Sequence, residues 1–298
     1  MIYFPKGINS DDLIVVLKSI CLEISLLFKT YTTSHSNLSE FREKLNIKVV
    51  KNELVTEVDL KVNEIIKNGI KESFPNADWE FLSEEDNKII KKSNFKSDFV
   101  WIIDPLDGTN GFINGSGEYA IHIALTYKKK VIFSVVMIPH KEEIWIYEEG
   151  KSSWCEDLLG RKKIFRQKNK KINEIIIIKS KSHSHAQLDD LIMQLNPKNI
   201  IEAGSIGFKI TSIIRGDADL YISYSLPNKS CPKDWDMAAP EGIIRGFGGF
   251  LTDSDGNDLL FLNDNDFKQG GIIVGSYNLN HSNICKNIRD IIKSMQVS

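Results

Sequence analysis

After Ser10, Asp11 and Asp12, apolar residues recur at Leu13, Val16, Leu17, Ile20, Ile24 and Leu27. This spacing predicts a helix that buries one face, with acidic residues suited to its start. Residues 29–52 are polar and irregular, and Val58, Val62, Ile65, Ile66 and Ile70 then define a second amphipathic helix opening near Thr56. The apolar runs 79–82 and 99–103 predict short buried strands, each followed at once by acidic residues. Runs 120–126, 131–138 and 143–148 predict successive strands, with a basic turn at 128–130.

The chain becomes polar and basic over 151–171, where we place the division of one catalytic unit into lobes 1–160 and 161–298. Beyond it the pattern predicts a strand at 175–179, a helix after His183, a helix at 208–214 and a strand at 220–223. A helix over 235–247 and strands at 250–252 and 271–275 lead to a C-terminal helix. Alternating helix and strand without internal repeat predicts a layered α/β fold in which acidic strand ends converge between the lobes.

Composition adds exclusions. Hydrophobic residues are 42% and charged residues 26% of 298, an ordinary globular balance. Lys plus Arg total 38 against 40 Asp plus Glu, so the net charge of -2 offers no general attraction to a nucleic acid polymer or an anionic membrane. No apolar run approaches the roughly 20 residues of a membrane span, and residues 1–12 lack the basic and apolar regions of a secretory signal. The expectation is a cytoplasmic protein whose Cys21, Cys155, Cys231 and Cys285 are reduced, since no short paired spacing suggests zinc or a redox motif.

The segment Ile102-Ile103-Asp104-Pro105-Leu106-Asp107-Gly108-Thr109 delivers two carboxylates from a buried strand into a turn. Oxygen ligands suit magnesium, Pro105 restricts the turn, and Gly108 lets backbone approach an anion. Amides near Gly108 and Thr109 would face a phosphate if a helix begins after Asp107. An ordinary acidic turn explains this segment alone, but Ser83-Glu84-Glu85 and Trp235-Asp236 offer further carboxylates at element ends. An aspartyl-phosphate loop of the haloacid-dehalogenase type would place a nucleophilic Asp two positions before Asp107. Pro105 stands there, which favours metal-activated water.

These motifs, with Val55-Thr56-Glu57-Val58-Asp59 and Trp235-Asp236-Met237-Ala238-Ala239 followed by Gly248-Gly249, resemble the inositol monophosphatase superfamily, most closely its CysQ-type 3'(2'),5'-bisphosphate nucleotidases. The resemblance implies a layered αβαβα sugar-phosphatase-like fold and two or three Mg2+ ions. It implies metal ligation by Glu84, Asp104, Asp107, Asp236 and the Leu106 carbonyl, with Asp59 and Thr109 positioning the attacking water and Glu85 supporting them. Thr56 and Asp59 have a purely structural alternative as a helix cap. Trp235 and the Ala238-Ala239 pair read as packing residues, and Gly248-Gly249 as the helix exit. Lithium inhibition is a further expectation from the resemblance, and a homodimer is compatible with it.

The stretch Gly117-Glu118-Tyr119-Ala120-Ile121-His122, together with Lys181-Ser182-His183, Gly204-Ser205, Lys209 and Gly216 to Tyr221, resembles the nucleotidases. It favours adenosine 3',5'-bisphosphate over inositol phosphate or a fructose 1,6-bisphosphate-like sugar phosphate, with Gly108, Thr109, His183, Ser205 and Lys209 at the substrate. Asn110-Gly111 stands where CysQ-type enzymes usually carry Lys-Glu. His183 and His185 fit either substrate contact or a helix start capped by Ser182 or Ser184. His122 reads as a hydrogen-bonded core residue, and Lys168, Lys170 and Lys171 as solvated surface. A catalytically silent sensor of metal and phosphate is the reading from another functional class, and the intact acidic set argues against it.

Overall fold

The computed structural model describes residues 4–32, 38–50, 53–86, 95–165, 170–263 and 266–297. Lys168 and His35 lie outside them. The first half contains α1 (Ser10–Thr32), α2 (Leu38–Lys44), β1 (Lys48–Val50), β2 (Glu53–Val55), α3 (Glu57–Ser73), β3 (Glu80–Ser83), β4 (Phe99–Asp107) and α4 (Thr109–Ile113). There follow β5 (Ala120–Tyr127), β6 (Lys130–Ile138), β7 (Glu143–Glu148), β8 (Trp154–Asp157) and β9 (Lys162–Lys163). The second half contains β10 (Ile176–Ser180), α5 (Ala186–Gln194), β11 (Asn199–Ala203), α6 (Ile206–Arg215), β12 (Leu220–Ser225), α7 (Asp234–Gly246), β13 (Phe250–Asp253), β14 (Gly271–Ser276) and α8 (His281–Val297).

Strands β3 to β9 form a seven-stranded sheet in sequence order, antiparallel except for the β3–β4 pair. The second sheet has the order β11-β10-β12-β14-β13. The apolar faces set the layers. Leu13, Leu17, Ile20, Ile24 and Phe28 of α1 and Val58, Val62, Ile66 and Ile70 of α3 pack on one face of the larger sheet, with Ile103, Ile121 and Ile123. Its other face, through Ile102, Ala124 and Val136, meets α6 and α7, whose far side meets Ile178, Tyr221 and Ile273 of the second sheet. Leu188 and Leu191 of α5 and Ile284 and Ile288 of α8 cover that sheet's outer face. The resulting order of helix, sheet, helix, sheet, helix is the expected αβαβα arrangement. Each fully buried Leu or Ile contributes about 1.5–3 kcal/mol relative to exposure, so these stripes dominate the assembly.

The sequence reading needs four corrections. Residues 29–52, read as irregular, contain α2 and β1, and β1 pairs with β2 as a hairpin. The polar stretch 151–171 contains β8 and β9, so the larger sheet runs to Lys163. β11 was not anticipated; it stands by parallel pairing with β10. The strand expected at 99–103 continues to Asp107. All four cysteines are free, and no helix among the described residues is long and apolar enough to cross a membrane.

Candidate active site

The continuation of β4 is what aims its carboxylates. Asp104 lies opposite His122 and Asp107 opposite Ala120, so three steps on β4 face two on β5. Residues three apart on an unbroken strand point to opposite faces. The extra residue of this bulge returns both aspartates to the face that looks at α6 and α7. Pro105, which cannot donate to a ladder, sits inside the irregularity. The Leu106 N–H turns back to donate to Asp104 Oδ1 at 3.0 Å.

Asp107 is held by the second half of the chain. Its Oδ2 accepts from Ser205 Oγ at 2.6 Å, the Ile206 N–H at 2.5 Å and the Gly207 N–H at 3.0 Å. The first turn of α6 thus receives a carboxylate, which its dipole favours, and Oδ1 is left as the oxygen available to a cation. Ser205, expected at the substrate, is fully buried, bonded to Asp107, and caps α6 by accepting from the Phe208 N–H at 3.0 Å. Its hydroxyl orients the Asp107 carboxylate. His122 is buried as expected, with Nδ1 3.2 Å from the Trp235 carbonyl, which makes Nδ1 the protonated nitrogen. Burial lowers its pKa and keeps it neutral. Its Nε2 is 3.3 Å from Asp107 Oδ2, but no aligned hydrogen bond forms there.

Asp236 enters from the first turn of α7, where its Oδ2 accepts from the Lys233 N–H at 2.5 Å. Ligand oxygens of Asp104, Asp107 and Asp236 come within 4.8 Å of one another. Glu84, at the end of β3, sets its carboxyl against Asp104. Burial, then the charges of Glu84, Asp107 and Asp236, push Asp104 well above the usual carboxylate range. Lys209 feels Asp107 and Asp236, but its Nζ donates to the carbonyls of Ala203 and Gly204 at 3.2 and 2.6 Å and forms no ion pair with them. Mutually repelling carboxylates, all hard oxygen donors, fit a divalent cation such as Mg2+.

Beside this cluster, Thr56 and Asp59 form the capping box of α3, and the same aspartate does more than cap. Asp59 Oδ2 accepts from the Thr56 N–H at 2.8 Å, while Oδ1 lies 3.2 Å from Thr109 Oγ1. Thr109 Oγ1 is also 3.1 Å from the Leu106 carbonyl. Burial pushes the Asp59 carboxyl up to about 6, helped by the charge of Glu85 and opposed by the Thr56 bonds. Gly108 has φ 87, and a Cβ there would stand 2.7 Å from the Glu118 carbonyl oxygen. A Cβ on Gly111 would stand 2.6 Å from the same oxygen, which gives the departure at Asn110-Gly111 a steric reason at its second position.

A cavity of about 690 Å³ opens from Glu84, Asp107 and Asp236. His183 lines it, its Nδ1 3.0 Å from Ser182 Oγ. His185, not Ser182 or Ser184, caps α5: Nδ1 accepts from the Leu188 N–H, and Nε2 donates to the Tyr224 carbonyl at 2.7 Å. Lys209 lines the cavity but is 1% exposed, and burial brings its pKa down to about 8. Lys170 pairs with Asp219 at 2.9 Å, away from this cavity. Trp235, Ala238 and Ala239 are packed, and Gly248 has the positive φ of a helix exit. The sequence reading missed the wall from Ser223 to Lys233, whose only signal was its proximity to Trp235-Asp236.

Residues 20–293 match the model of the inositol monophosphatase family. The chain is 30% identical to the 3'(2'),5'-bisphosphate nucleotidase CysQ of Escherichia coli strain K12 over 226 residues, 76% of this chain and 87% of that protein. It is 27% identical to the Nus factor SuhB of Xylella fastidiosa over 235 residues, 76% of this chain and 78% of that protein. The solved structure of a Thermotoga maritima IMPase superposes with a TM-score of 0.71, covering 95% of this chain and 99% of that one at 22% identity, a likeness of fold alone.

Proposed function

Because this chain belongs to the inositol monophosphatase family, as a metal-dependent phosphoric monoester hydrolase, we propose that it converts adenosine 3',5'-bisphosphate to AMP and phosphate with two or three Mg2+ ions. The observation that carries the nucleotide reading is the cavity, which continues from the carboxylates past Tyr224 and His183 and has room for far more than a phosphoryl group. The likeness to CysQ supports it.

Asp104, Asp107, Asp236 and Glu84, with the Leu106 carbonyl, would hold the cations. Bound there, the cations supply Lewis acidity to the phosphate, the water and the leaving oxygen. The chain's own contribution begins at Thr109, whose hydroxyl donates to Asp59 Oδ1 and leaves an oxygen lone pair for water. As water attacks phosphorus, Thr109 Oγ1 accepts its proton and passes its own to Asp59. A carboxyl near 6 is ionised at neutral pH yet more basic than an ordinary aspartate, which suits it to general base work. Ser205 and the first amides of α6 hold Asp107 Oδ2, so that Oδ1 would be left for a cation.

The test is phosphate release from adenosine 3',5'-bisphosphate, inositol 1-phosphate and fructose 1,6-bisphosphate at matched Mg2+. The expected result is the highest kcat/KM for the nucleotide, with cleavage at the 3' position. A preference for inositol 1-phosphate would overturn the nucleotide reading.

A further inference from the structure

We propose that Lys229 is the main cation of a second anion subsite in this cavity, where it binds the substrate phosphate that is not cleaved. The inference rests on the phosphatase reading and deepens it. Every carboxylate lining the cavity among the described residues, Glu84, Asp107 and Asp236, belongs to the proposed metal set. The wall contributed by residues 223–233 presents Ser223, Ser225, Ser230, Lys229 and Lys233 and no carboxylate. Asp234, next along the chain, is turned into the interior, where it accepts from the Leu262 N–H at 2.6 Å and Gln269 Nε2 at 2.7 Å. Hydroxyl and ammonium donors without a competing acid recognise an anion.

Among the described residues three lysines line the cavity, and two have their ammonium groups committed. Lys209 holds the Ala203 and Gly204 carbonyls, and Lys233 Nζ donates to the Asp266 carbonyl at 3.2 Å. The Lys229 side chain is exposed and forms no hydrogen bond or ion pair among the described residues. Its backbone is nonetheless fixed. The Lys229 N–H donates to the Leu226 carbonyl at 3.2 Å across Pro227 and Asn228, with Asn228 at φ 62. Proline second and a left-handed Asn third are the residues a type II turn selects. The turn therefore presents Lys229 from a restrained loop, with its charge left for a ligand. A phosphate ester with one anionic group at the metals leaves this ammonium unused, whereas a bisphosphate has a second anion to offer it.

The experiment compares kcat/KM for adenosine 3',5'-bisphosphate with that for 3'-AMP, which lacks the second phosphate. In Lys229→Ala the ratio between the two is expected to fall about tenfold, mainly through KM, as loss of a charge-assisted hydrogen bond predicts. Lys229→Arg should restore most of the ratio, and Lys229→Glu should depress it further. An unchanged ratio in Lys229→Ala, or equal losses on both substrates, would overturn the subsite. If the wild-type enzyme prefers inositol 1-phosphate, the nucleotide reading fails on its own. The same variants on inositol 1,4-bisphosphate against inositol 1-phosphate then decide the subsite, with the same ratio change expected and its absence fatal to the proposal.

Discussion

At the metal end of the cavity the side chains are fixed before any ligand arrives: three donors converge on Asp107 Oδ2, two from Thr56 on Asp59 Oδ2, and the Leu106 N–H on Asp104 Oδ1. On the wall formed by residues 223–233 the side chains of Ser225, Lys229 and Ser230 make no such bonds among the described residues, and it is the backbone N–H of Lys229 that is held. The difference separates two tasks. Groups that stabilise a transition state gain from being held in place beforehand, whereas groups that select a substrate need donors not already committed within the protein.

The largest effect that would test this contrast is Asp107→Asn. The three donors on Oδ2 would retain the amide oxygen and leave the NH2 group facing the cation position. Turnover is expected to fall about 10³-fold, in the range for lost electrostatic stabilisation, while the thermal midpoint changes little. Wild-type turnover in the folded variant, at both saturating and limiting Mg2+, would remove Asp107 from the mechanism.

Asp59→Asn comes next, with an expected loss of about 10²–10³-fold for an absent general base. In the wild type, activity should rise as pH passes through about 6, because Asp59 accepts a proton only when ionised. Raising Mg2+ should move this acid limb lower, since a nearby cation favours the carboxylate. A pH profile flat from 5 to 8 would separate Asp59 from proton transfer.

The smaller effects distinguish the walls directly. Ser205→Ala loses a hydrogen bond to Asp107 and a helix cap, together about 1–2 kcal/mol of stability. It should raise the Mg2+ concentration for half-maximal activity severalfold and leave substrate preference unchanged. His183→Ala should do the reverse, raising KM for the nucleotide severalfold at unaltered Mg2+ dependence. Titrations of Mg2+ and of each substrate on both variants would expose the error if Ser205→Ala instead altered the ratio between nucleotide and inositol phosphate.

The metal end was legible in the sequence because its residues carry signals within a few positions: Thr56 to Asp59 for a cap, and Asp104 to Thr109 for a strand turning into a helix. What sequence spacing could not show was that the bulge puts Asp104 and Asp107 on one face, or that Ser205 reaches Asp107, because both depend on pairing between distant segments. The same limit applies to the fold. Lys162 and Lys163 have no apolar pattern and become β9 by pairing with β8. In β11, Ile200 and Ile201 are flanked by Asn199 and Glu202, too short a run to stand out, and parallel pairing with β10 makes it a strand. Lys229 belongs to a turn whose residues announce its shape but not the cavity it borders.

The clasp of α6 on Asp107 also has a consequence in time. A ribosome releases Asp107 first, and Ser205 follows 98 residues later. At about 5–20 residues per second, the nascent chain carries the Asp104–Asp107 segment for roughly 5–20 s before the groups that orient it exist. Hydrolytic activity is therefore a late product of synthesis, and its onset reports that the start of α6 has closed on Asp107.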